Sequence, residues 1–268
     1  MIMDIQKKKN IGIALIILVA TTAIAGLLFM EPIPQDTKYH QFMDSKLILT
    51  IPNFWNVVSN IAFLIVGALG VLKLRTPDRL EIVSDIKFAY YWLFSGLILV
   101  ALGSGYYHIW PDNQTLVWDR LPMTIVFMAL FSIVIGEFVS SRLGKALFLP
   151  FIICGICSVL YWHFTELSGK GDLRFYAIIQ FLPMLIIPII LITFNSKHTK
   201  VLSYWCLLIA YIIAKLFEHF DEQVYTATGL ISGHSVKHIV AAFGIYILLS
   251  SYECRSSKVI RGLPGEIF

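Results

Sequence analysis

Three histidines, a serine and an aspartate have the types and spacing that metal-assisted hydrolysis needs. His234 and His238 are four residues apart, so on a helix they share one face and both imidazoles can reach one ion. Ser104 precedes His108 by the same interval, which puts a hydroxyl beside a third imidazole. Three imidazoles leave one position open on a tetrahedral zinc ion, the pattern of a catalytic site, whereas a closed set of four protein ligands is structural. Zinc held in this way lowers the pKa of a bound water to about 7. Asp119 could take a proton from that water and pass it to a leaving amine. Ser104 could donate a hydrogen bond to a developing oxyanion. Each member alone also has a bland reading. His-x-x-x-His arises often by chance, and histidines near a membrane surface commonly bond water.

These residues gain weight from the elements that carry them. The chain has 268 residues, 57% of them hydrophobic and only 14% charged, with a mean hydropathy of +0.76. Soluble domains are nearer a quarter charged. The apolar residues fall in blocks of about 20, the length that crosses a hydrocarbon core. The blocks are Ile11–Met30, Phe54–Leu72, Phe88–Tyr107, Leu121–Val139, Ala146–Phe164, Phe175–Phe194, Leu202–Phe220 and Gly233–Ser251. Short loops join them, so consecutive helices are expected to pack antiparallel. The expected fold is an all-α integral membrane bundle of seven helices with an additional N-terminal hydrophobic helix. Residues 1–30 form that extra helix, 31–251 the seven-helix domain and 252–268 a cytoplasmic tail. Lys7, Lys8 and Lys9 before the first block, and Ala23 and Ala25 within it, also fit a cleaved signal peptide; the apolar run continuing to Met30 favours a retained helix.

Placing the N-terminus in the cytoplasm puts fourteen Lys and Arg on the inner side, among them Lys197, Lys200, Lys258 and Arg261, against five on the outer side. The positive-inside rule therefore sets both termini inside. With that topology His108, Asp119, His234 and His238 come to the outer end of the bundle, on the periplasmic or lumenal side. Glu218, His219 and Asp221 come to the same end. Ionisable groups in a span cost roughly 2.5–3.5 kcal/mol each at its centre and are usually functional, so a set gathered at one depth is hard to assign to chance. Glu218 and Asp221 are candidates for orienting the histidines, or form an acidic rim facing water. Lys237, between two of the histidines, is expected to reach toward water or pair with Glu218 or Asp221.

In combination these residues resemble the alkaline ceramidase family. Ser104-Gly-Tyr-Tyr-His108, Asp119-Arg-Leu-Pro-Met123 eleven residues further on, and His234-Ser-Val-Lys-His238 in the last helix follow that pattern, and Asn53–Asn60 resembles the segment that opens its first core helix. The wider superfamily includes adiponectin-receptor-like proteins and lipid-remodelling proteins of GPI-anchor maturation. The resemblance, over residues 31–251, implies a seven-helix fold, zinc on His108, His234 and His238, and Ser104 and Asp119 in the site. It implies hydrolysis of the amide of a ceramide or related N-acyl lipid to an amine lipid and a fatty acid, with the acyl chains running down between helices. Eukaryotic members also carry an acidic calcium cluster ending in Glu-Phe-Trp-Asn. Here Asn53 takes that glutamate's place and the spacing of Asp36 and Asp44 before it does not match, so calcium at Asp36, Asp44 and Asn53 is the weaker of the two metal expectations.

Other classes fit less well. The Lys and Arg residues lie in short loops, which argues against nucleic acid as a partner. No Walker loop, GxGxxG or GxSxG is present, and nothing marks a protein partner. The alternatives are a lipid esterase of the same superfamily, a zinc-containing receptor or sensor, and a transporter. The lack of a signalling domain weighs against a receptor, and a site at one end of the bundle weighs against a transporter, whose sites tend to lie at the midplane. Cys154, Cys157 and Cys206 read as ordinary buried thiols and Glu137 as a loop-facing carboxylate. His163 and Glu166 read as plain interfacial residues. Trp92, Trp110, Trp118 and Trp162 read as an interfacial belt. Pro183 and Pro188 are expected to kink the sixth block.

Overall fold

The computed structural model describes residues 2–196 and 201–260, with side chains over 4–196 and 201–255, and within these it is helical with no strand. Lys197, Lys200 and Arg261 lie outside the described residues, as do residues 261–268 of the expected tail and the side chain of Lys258. Eight helices are long and apolar enough to cross a membrane. In chain order the helices are α1 (Ile2–Phe29), α2 (Phe54–Val58), α3 (Ile61–Arg75), α4 (Lys87–Ile109), α5 (Asn113–Val134), α6 (Ser141–Leu167), α7 (Arg174–Thr193), α8 (Val201–His219), α9 (Asp221–Thr228) and α10 (Gly233–Ile260). The chain is an integral, multi-pass membrane protein.

Helices α3 to α6 pack in sequence, α8 packs along α10, and α10 closes onto α3, while α1 leans on α7 outside this ring. α5 is the axis of the bundle: 78% of its most apolar stretch is buried, against 6% for α1. It begins at Asn113, earlier than the apolar run that opens at Leu121. The cause is a reciprocal cap, with the Thr115 N–H donating to Asp112 Oδ1 at 2.7 Å and the Asp112 N–H to Thr115 Oγ1 at 3.1 Å. Apolar periodicity alone cannot register such a polar first turn.

Two close helix crossings set the site end. A Cβ on Gly103 would lie 2.0 Å from the Trp118 carbonyl oxygen, so only glycine lets α4 and α5 touch there, one residue from both Ser104 and Asp119. A Cβ on Gly233 would lie 2.1 Å from the Phe217 carbonyl, which brings the start of α10 against the end of α8. The span Phe54–Arg75 is interrupted between α2 and α3. The Asn60 Nδ2 donates to the Asn56 carbonyl at 2.8 Å and the Ser59 hydroxyl to the same oxygen at 3.2 Å. Side chains thus satisfy backbone that the break would otherwise leave bare in an apolar setting.

Several sequence readings need correction. Glu137 does not face a loop. α5 ends in a π-helical turn, Ile135–Val139, which directs Glu137 inward to accept from the Tyr90 hydroxyl at 2.6 Å, with Arg255 Nη1 3.4 Å away. Trp162 is fully buried, unlike Trp92, Trp110 and Trp118, packed with Leu116, Val159 and Tyr176 and with the Arg120 guanidinium 4.2 Å over its ring. Cys154 and Cys157 are exposed, on the face α6 turns away from the bundle, and Cys206 is half-buried. α10 continues helically past Ser251 to Ile260.

Candidate metal centre

His108 ends α4, and His234 and His238 open α10 on one face. The three rings form a near-equilateral triangle, with centroids 4.9, 5.2 and 5.1 Å apart. One ligand nitrogen from each lies within 4.8 Å of the others, and all three side chains are buried. This is the one such group of three among the described residues.

The surroundings prepare the rings for an ion. The Ser59 hydroxyl lies 2.8 Å from His238 Nδ1 and 3.2 Å from the Asn56 carbonyl. With that hydroxyl donating to the carbonyl, its oxygen accepts from Nδ1–H, the tautomer that would leave His238 Nε2 free to ligate an ion. His108 Nδ1 is buried with no hydrogen-bond partner. An orphaned buried polar atom costs about 1–3 kcal/mol, and an ion bound at that nitrogen would remove that cost. The donor set is all imidazole, which suits zinc and not a hard cation such as calcium. Phe42 packs edge-on against His108 and His234 at 4.7 and 4.9 Å, and Phe63 against His238 at 6.1 Å, so the rings sit under an apolar cover.

Ser104 and Asp119 stand together below the histidines. Both are buried, and the serine hydroxyl is close enough to the Asp119 carboxyl to interact with it. With His238 they line one cavity of about 390 Å³. Lys237 also lines it and pairs with Glu218 at 2.5 Å; Lys215 holds the same carboxylate at 2.5 Å. Neither acidic candidate meets an imidazole. Glu218 is taken by the two lysines. Asp221 Oδ1 accepts the backbone N–H of His234 at 2.6 Å, anchoring the first turn of α10 where free N–H groups await acceptors. His219 is exposed.

The three positions considered for calcium do different work. Asp36 is exposed and accepts from the Lys38 N–H at 2.9 Å, capping a short 3-10 turn. Asp44 is fully buried and its backbone carbonyl accepts from Asn56 Nδ2 at 3.0 Å; burial pushes its carboxyl above the usual value. Asn53 uses its amide as a donor, to the His108 carbonyl at 2.8 Å, a role that a glutamate could not fill.

The loop between α1 and α2 covers this end of the bundle. Its Gln35 accepts from Arg120 Nη2 at 2.6 Å, and its Gln35 N–H donates to Glu166 at 2.5 Å. His40 bonds the Tyr107 hydroxyl at 2.9 Å and Asn113 at 2.8 Å. Sequence reasoning missed Ser59, Phe42, Phe63 and this fastening of the loop. Ser59 alone left a signal, a polar residue inside the Asn53–Asn60 segment that opens an apolar block.

Residues 44–259 match the family model described as Ceramidase, which covers most of the chain and every residue of the histidine triangle. No curated protein matches at a significant level.

Proposed function

The chain belongs to the Ceramidase family, and from that premise we propose that it is a zinc-dependent membrane hydrolase that cleaves the amide of ceramide or a related N-acyl lipid. The observation that carries the metal part of this reading is the buried triangle of His108, His234 and His238, with His108 Nδ1 unpartnered in the chain. Zinc held by these three would polarise the amide carbonyl and acidify a water. The remaining work falls to the chain. Ser59 holds His238 in the tautomer that presents Nε2. Asp119, dry and next to Ser104, receives a proton at its carboxylate and returns it to the leaving amine nitrogen. The Ser104 hydroxyl donates to the carbonyl oxygen as charge develops there. Phe42 and Phe63 exclude bulk water, and the apolar cavity below takes hydrocarbon. On the reading from loop charges, both termini are cytoplasmic and the site faces the outer side, at the depth where a lipid amide lies.

The test is hydrolysis of a fluorescent N-acyl sphingoid lipid by detergent-purified protein, with zinc counted in the same sample. The expected result is about one zinc per chain, loss of metal and turnover in His234→Ala, and retained metal in Asp119→Asn with turnover lower by about 10²–10⁴. Zinc without amide turnover would transfer the proposal to ester lipids or a sensor. Full turnover in zinc-free protein would overturn the metal role.

A further inference from the structure

The cavity below Ser104 and Asp119 runs far down the bundle and ends on an aromatic stop. Along α8 its wall extends from Glu218 to Tyr204, about 21 Å at 1.5 Å of rise per residue. A lipid chain spans half of a hydrocarbon core of about 30 Å, so the cavity is deep enough for one membrane-lipid chain. Its volume of about 390 Å³ lies toward the lower end of the roughly 300–1,000 Å³ of small-molecule pockets, which leaves room for one chain and not two.

At the deep end the wall is formed by Leu97, Leu130, Ile187, Ile245 and Tyr204. Four of these are aliphatic and can change rotamer. Tyr204 is held: its hydroxyl lies 2.9 Å from that of Tyr252 and its ring packs edge-on against Phe138 at 5.4 Å. Immediately beyond lies a layer of buried polar groups. Tyr252 meets the Tyr90 ring at 5.3 Å, Arg255 stacks over Tyr252 at 4.8 Å, and Glu137 joins Tyr90 and Arg255. Tyr90, Tyr252 and the Glu137 side chain are wholly buried. A hydrocarbon end pushed past Tyr204 would displace hydroxyls and charges from partners that no water replaces, which is costly.

We infer that Tyr204 sets the length of acyl chain the protein accepts, its ring being the stop against which the terminal methyl rests. This rests on the hydrolase reading for its substrate, because a carbonyl held beside Ser104 and Asp119 sends its own alkyl chain into this cavity. The amine-side chain stays in the surrounding lipid. The polar layer makes the limit sharp: chains up to the stop fit, and longer ones leave the carbonyl short of the metal centre.

Two lipid series test this on the detergent-purified full chain: N-acyl lipids of graded acyl length on a fixed base, and of graded base length on a fixed acyl chain. In parallel, fatty acids of graded length displace a fluorescent fatty acid, a measurement that needs no turnover. Tyr204→Ala is expected to raise kcat/KM for chains beyond the wild-type limit about tenfold relative to shorter ones, a change of the size one or two methylenes produce in a pocket. Tyr204→Phe keeps the limit. Ile187→Phe, which fills the same depth, moves the limit to shorter chains and decides the matter if Tyr204→Ala does not fold. Unmoved limits in both activity and displacement, or a shift in the base series alone, overturn the inference. A displacement limit that moves with these variants in a protein without amide turnover supports the stop and removes the hydrolase reading. Neither turnover nor displacement removes both.

Discussion

Ser59 shows how much of the proposed metal centre would lie outside its ligands. Its hydroxyl lies 2.8 Å from His238 Nδ1 and 3.2 Å from the Asn56 carbonyl, so the imidazole can turn only by breaking the first of these contacts. Partners of this kind contribute about 10- to 100-fold in metal affinity or activity. Ser59→Ala is expected to lower zinc affinity by that factor, measured by competition with a chelator, and Ser59→Thr to restore most of it. Equal affinity in Ser59→Ala would reduce the serine to packing. The cluster of three histidines was legible in the sequence because helical spacing places i and i+4 on one face, and because their blocks end on one side. Ser59 was not, since it reaches His238 across 179 positions and only the packing of α2 against α10 sets that distance. Asp221 lies at the end its sequence position implies, yet it holds the His234 backbone and not a ring.

Among the elements, the long apolar helices are the part that periodicity and block length define, and their ends are where it fails. The capped first turn of α5 is polar, and the π turn after it sends Glu137 inward where a regular helix would carry it toward the loop. The short α9 has no apolar signature at all. At the histidine end, the loop before α7 is fastened by Asp172. Its carboxylate accepts from Arg174 Nε at 2.9 Å and from the Tyr161 hydroxyl at 3.0 Å, and Arg174 in turn donates to the Met30 carbonyl at 2.5 Å. The Arg174 hydrogen bond holds the Asp172 carboxyl down from its usual 3.8 to about 2. A carboxyl depressed on folding stabilises the fold above its unfolded value and loses that contribution as pH falls toward its folded value. Asp172→Asn is therefore expected to lower Tm relative to wild type at neutral pH, with the gap closing between about pH 4 and pH 2. A gap that stays constant with pH would mean that the carboxylate charge contributes nothing.

Across the whole molecule, the two ends of the bundle carry opposite kinds of buried chemistry. One end gathers buried imidazoles under a covering loop. The other buries Glu137 with Arg255 and three tyrosines, and outside it Glu253 pairs with Lys73 and Arg79. The cationic loops cluster at this second end, and the rule that such loops stay in the cytoplasm predicts a direction for the whole protein: the histidines outward, the Glu137 layer inward. Under the proposed hydrolase reading the predicted direction bears on supply, since an outward site would draw lipid from the outer leaflet. Two exposed positions on opposite ends report it, Ser168 after α6 and Thr76 after α3. In a background with the four native cysteines replaced, Ser168→Cys is expected to react with a membrane-impermeant thiol reagent on intact cells, and Thr76→Cys only after permeabilisation. The reverse pattern would place the metal centre against the inner leaflet and leave the lysine and arginine bias as a feature of the fold without a topological role.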